Sequence, residues 1–133
     1  EVAYKLPGEH CNTFGASAPA CAAGLKVLEI IQKENLCQRA EKKGILLRAQ
    51  LQKRFGYSPL TPVSGIGLMN RATLQFGPNG NSRVAEEARK RGLFLTGAGA
   101  MSLRLMPPLT VSEEEMKQAI DILNEAIQQV SPF

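Results

Sequence analysis

Apolar residues recur along this chain at two different spacings, and the change of spacing marks out its elements. From Ala20 to Lys33 the positions Ala22, Ala23, Leu25, Val27, Leu28, Ile30 and Ile31 cover more than half of a helix circumference. The helix starts near Ser17 to Pro19, where a proline is tolerated because its missing N–H would have no partner anyway. A helix this apolar needs more than one neighbour to bury it, which points to a partner domain or subunit beyond a small domain. A second stripe, Leu36, Ala40, Leu47, Leu51 and Phe55, keeps helical spacing behind a basic face, with Asn35 placed to cap it. Gly44 interrupts this stripe at a cost of ~1 kcal/mol relative to alanine, so a bend or a close approach is expected there.

After a loop over 56–62, Val63–Met69 and Ala72–Phe76 read as strands, with Gly65 and Gly67 permitting a bend or bulge. A loop over 77–81 follows. Ser82 is placed to cap a helix over 83–91 that Gly92 stops. Leu93–Thr96 and Met101–Met106 read as two further strands joined by a turn over 97–100, and Pro107 and Pro108 end the second. The last helix carries Ser112 and Glu115 as a capping box, then the stripe Met116, Ala119, Ile120, Leu123, Ile127 and Val130. The expected fold class is α+β, two layers, with a small, mainly antiparallel sheet and helices on one face.

Length and composition narrow the function classes. The 133 residues, 44% hydrophobic and 21% charged, suit a single globular domain, and no apolar run is long enough to span a bilayer. The three cysteines, Cys11, Cys21 and Cys37, lack CxxC spacing, so a reducing cytoplasm is expected rather than a disulfide framework or a zinc site. The net charge of +4 raises nucleic-acid binding. Glutamates interleave with the basic clusters of residues 42–54 and 83–91, however, and no aromatic residues stand among them for base stacking. Solvated helix faces are the expected outcome, with no nucleic-acid and no membrane partner.

Two places carry candidate chemistry. The stretch Glu9–Ala23 is rich in small polar residues just before a helix N-terminus, a setting that suits either a helix cap or a phosphate contact; Thr13 lies within it. In Leu103, Arg104, Leu105, Met106 an arginine stands among apolar residues. It could clamp a carboxylate bidentately, or alternation could simply turn it outward from an edge strand whose leucines point in. His10 has no partner at triad spacing, Cys21 reads as a small core residue, and no metal-ligating cluster is visible.

Taken together, HCNTFGASAPACAAGLKVLEII, the glycine pair in VSGIGLM, the helix ending in RGLFL, and LRLMPPLTVSEEEMKQAIDILNEAI resemble the carboxy-terminal part of class III pyridoxal-phosphate aminotransferases. These are the relatives of ornithine, acetylornithine and 4-aminobutyrate aminotransferases. The resemblance implies the small domain of fold type I, with 1–34 as a leading segment and long connecting helix and 35–133 as the small domain. It implies that Thr13 reaches the cofactor phosphate of the partner subunit in a homodimer, and that Arg104 binds a substrate carboxylate. The expected reaction moves an amino group between an amino acid or amine and a 2-oxo acid.

Departures from the family pattern are local. Ala16, Ser17 and Ala18 replace a glycine, an asparagine and a proline; Ser64 stands where arginine is frequent; and Asn70-Arg71 replaces a more apolar continuation. The cofactor-binding lysine and its aspartate belong to the family's large domain, and Lys5 is too close to Thr13 to be that lysine. The chain by itself is therefore expected neither to hold pyridoxal phosphate covalently nor to transaminate. The alternatives are a non-catalytic binding or assembly module and a domain of a racemase or epimerase on the same scaffold.

Overall fold

A computed structural model describes residues 13, 15–56, 60–77 and 79–131, with backbone only for 60–62. His10, Cys11 and Lys5 lie outside the described residues. The chain divides into two units, Glu1–Asn35 and Leu36–Phe133.

The first unit carries α1, Ala18–Lys33, with Pro19 in its first turn. Its end differs from expectation. Asn35 takes a left-handed backbone (φ 51°) and donates its N–H to the Gln32 carbonyl at 3.2 Å, so it stops α1 as a left-handed C-terminal cap and does not cap the next helix from an extended conformation. None of the residues of α1 is buried. Cys21, expected in a core, is exposed, as is Cys37 at the start of the second unit.

In the second unit the order is α2 (Leu36–Phe55), β1 (Leu60–Ile66), β2 (Met69–Leu74), α3 (Gly80–Lys90), β3 (Thr96–Gly97), β4 (Ser102–Leu105) and α4 (Glu113–Val130). The sheet runs β1-β2-β4-β3, with every neighbouring pair antiparallel. Ala72, Leu74, Leu103 and Leu105 face a single core cluster, to which α2 gives Leu47, Leu51 and Phe55, α3 gives Val84 and Ala88, and α4 gives Met116, Leu123 and Ile127. All three helices therefore lie on one face of the sheet, and the fold is the two-layer α+β arrangement expected.

The predicted stripe of α2 is buried residue for residue, together with Gly44. A Cβ at Gly44 would stand 1.8 Å from the Gly67 carbonyl oxygen, so the absent side chain lets the helix meet the β1–β2 turn. Arg48, one turn further along, fixes the same turn: its guanidinium donates to the Gly67 carbonyl at 3.1 Å and to Asn70 Oδ1 at 2.8 Å.

Several boundaries differ from expectation. Ile66 pairs directly with Met69, which places the hairpin turn at Gly67 and Leu68, three residues before the predicted break. Gly67 supplies the positive φ of 51° that this two-residue turn requires. The bulge falls between Leu60 and Val63, not at a glycine. Helix α3 begins at Gly80 with Asn79 as its N-cap, so Ser82 lies inside it. The buried Asn81 donates instead to the carbonyls of Gly99 (2.9 Å) and Ser102 (3.3 Å), tying the helix to the β3–β4 turn. Finally, Leu93–Leu95 is not a strand. Gly92 (φ 87°) and Leu93 close α3 by donating to the Arg89 and Ala88 carbonyls, and Leu93 and Leu95 then pack against the core.

Candidate functional site

Strand β4 lies inside the sheet, between β2 and β3, and not at its edge. Leu103 and Leu105 point into the core while Arg104 is exposed on the opposite face. The alternation anticipated from sequence is therefore correct, but the position is the middle of a sheet face, not its rim. Among the described residues no hydrogen bond or ion pair engages the Arg104 guanidinium, whereas Arg89 and Arg91 are held by Glu86 and Glu87 and Arg48 by the β1–β2 turn. A planar guanidinium with five N–H donors and no acceptor among the described residues is available to a carboxylate.

Thr13 belongs to the first unit, where it is exposed in a turn before α1. Two residues on from Phe14, Ala16 adopts the left-handed backbone (φ 58°) that glycine takes most readily, so alanine here follows a glycine-like path at some conformational cost. Ser17 occupies the N-cap without a side-chain cap bond, and no acidic residue stands in the first turn of α1. One hydroxyl and the uncapped N–H groups of a helix start make a donor set that fits phosphate oxygens.

Part of the basic clusters on the helices is engaged within the fold. Arg89 pairs with Glu86, Lys90 and Arg91 with Glu87, and Lys43 donates to the Val111 carbonyl. The Arg89 guanidinium beside Glu86 holds that carboxyl below its ordinary range, and hydrogen bonds from Lys90 and Arg91 do the same for Glu87. A cavity of about 310 Å³ opens between α2, α4 and residues 105–108, but its lining is apolar, with Leu51, Phe94, Met106 and Leu123, and its one ionisable group is Glu115. Its lining has no cationic side chain to meet a carboxylate. No group of three or more potential metal ligands occurs among the described residues. No helix among them is long and apolar enough to cross a membrane.

The sequence profile described as aminotransferase class III matches residues 1–127. The chain belongs to the class III aminotransferases. It is 39% identical over 124 residues to acetylornithine aminotransferase of Synechocystis sp., covering 91% of this chain and 29% of that protein. It is 31% identical over 122 residues to the mitochondrial ornithine aminotransferase of Rattus norvegicus, covering 91% and 28%. Among solved structures it superposes on lysine aminotransferase from M. tuberculosis with a TM-score of 0.84 at 28% identity, over 95% of this chain and 29% of that one. The chain thus spans about 30% of the length of the curated class III relatives it matches. Enzymes of this family work with pyridoxal phosphate.

One residue of the exposed sheet face was not singled out from sequence as a site. Arg71 on β2 is the direct partner of Arg104 on β4. The signal was present in the alternation of Asn70 inward and Arg71 outward, but their opposition depends on a pairing between strands that α3 separates in the chain.

Proposed function

We propose that this chain is the carboxy-terminal part of a pyridoxal-phosphate-dependent class III transaminase that moves an amino group between an amino acid or amine and a 2-oxo acid. Residues 1–34 would form its leading segment and connecting helix, and 35–133 its small domain. The observation that carries the reading is Arg104, exposed in the middle of an inner strand without an acceptor among the described residues. Arg104 orients the substrate by its carboxylate, and the Thr13 hydroxyl donates to the phosphate of the cofactor bound by the partner subunit of a homodimer. Pyridoxal phosphate, where bound, supplies the electron sink for the amino acid's α-carbon. The exposed thiols of Cys21 and Cys37 favour a reducing cytoplasm.

Whatever the full reaction, the 133-residue chain alone does not transaminate in this reading. Mixed with pyridoxal phosphate and treated with borohydride, it should retain no pyridoxyl group on a lysine. A labelled lysine, lost on changing Lys5→Ala, would sink the proposal. The exposure of Leu25, Val27 and Leu28 on α1 favours a helix that takes its neighbours from the rest of the parent enzyme or from a second subunit.

A further inference from the structure

The register of the sheet lines up four side chains across its open face. Ser64 on β1 opposes Arg71 on β2, Arg71 opposes Arg104 on β4, and Arg104 opposes Thr96 on β3. Directly opposed residues of antiparallel strands share a face with Cβ atoms roughly 4.5–5.5 Å apart. The neighbouring row, Val63, Ala72 and Leu103, points into the core, so this row points away from it, and all four of its residues are exposed.

The row holds two guanidinium groups, which can only donate, flanked by two hydroxyls, and no anionic group. Like charges directly opposite one another destabilise a sheet unless something neutralises them, and among the described residues no carboxylate is paired with either guanidinium. No aspartate or glutamate occurs in any of the four strands, nor anywhere in residues 42–85 or 88–112. Neither the Arg71 nor the Arg104 guanidinium has a hydrogen bond or ion pair among the described residues. Beyond the row, towards the β1–β2 turn, Ile66, Met69 and Met106 are exposed and apolar. A small organic acid set against this face would meet two cations in the middle and hydrocarbon beside them.

We propose that Arg71 is a second anion-binding residue beside Arg104, and that the pair together holds a small dianionic carboxylate ligand, one charge to each guanidinium. This rests on the reading of Arg104 as the carboxylate-binding residue. It adds a preference for two negative charges over one, which a single arginine does not provide.

The test is titration of the 133-residue chain with glutarate, with butyrate as a monoanion of similar length, and with inorganic phosphate, following the arginine Nε–H signals by NMR. Glutarate should shift the signals of Arg71 and Arg104 together. Arg71→Gln should weaken glutarate about fivefold, the scale of one exposed ion pair, and change butyrate less than about twofold. Arg71→Lys should restore most of the glutarate affinity, and Arg104→Gln should weaken both carboxylates. If Arg71→Gln leaves glutarate unchanged while Arg104→Gln weakens it, the second arginine is overturned and the reading of Arg104 stands. If Arg104→Gln affects neither ligand, both fall. Tighter binding of phosphate than of glutarate would overturn the assignment to a carboxylate.

Discussion

Ser112 and Glu115 exchange two hydrogen bonds at the start of α4: the Ser112 hydroxyl accepts from the Glu115 N–H at 3.1 Å, and the Glu115 carboxylate accepts from the Ser112 N–H at 2.7 Å. The backbone N–H of Ser112, then its hydroxyl, hold the Glu115 carboxyl below the usual carboxylate range. Its pKa is thus lower folded than unfolded. The stability it contributes is complete above the unfolded value, about 4.3, and is lost as pH falls through the folded value. Ser112→Ala should cost about 1 kcal/mol near neutral pH. Glu115→Gln should lower the melting temperature at neutral pH and converge on the parent in strong acid; parallel melting curves across the acid range would contradict this. The capping box was legible because both partners lie within one turn of sequence. So was the outward direction of Arg104, which needs only a two-residue alternation. What Arg104 faces was not legible, because Arg71 reaches it through the pairing of two strands.

At the scale of elements, the stripes of α2 and α4 could be read almost in full, since a helix face is fixed by local spacing. The caps were less legible. Asn35 and Ser82 have the composition of N-caps, yet Asn35 closes the preceding helix and Ser82 sits inside α3, while Asn81 turns inward to bond the β3–β4 turn. Gly44 shows how far a propensity argument carries. In isolation, alanine would improve the helix by ~1 kcal/mol. In the fold its Cβ would meet backbone at Gly67, which cannot swing aside as a side chain could. Gly44→Ala should therefore destabilise by about 1–3 kcal/mol net, read as a lower urea midpoint at unchanged slope. An unchanged or higher midpoint would show that the turn yields. The hairpin between β1 and β2 was misplaced for a related reason: Gly67 was read as a bend within a strand when its left-handed backbone is the turn itself.

At the scale of the whole molecule, the two units have different characters. Leu36–Phe133 closes its own core, whereas α1 in the first unit leaves Leu25, Val27 and Leu28 more than half exposed. The chain should bind an apolar dye, and Leu25→Lys with Leu28→Lys should remove most of that signal while leaving the melting of the second unit unchanged. A parent chain that binds no dye would show that the face is covered in solution. The apolar character of α1 was readable from its composition. The strand order was not, because β2 and β4 pair across an intervening helix and loop.

The two borders of the sheet have a separate consequence. On one side β3 is only two residues long. On the other, β1 carries Pro62, which has no N–H to offer, and an irregular register between Leu60 and Val63. Neither border presents a long, regular ladder of free backbone groups. Growth of the sheet by lateral addition of another strand, the first step of edge-to-edge aggregation, is thereby discouraged at both ends. Association of a second chain is thereby favoured through side chains, by a helix or by the open face of the sheet, over extension of its hydrogen bonds.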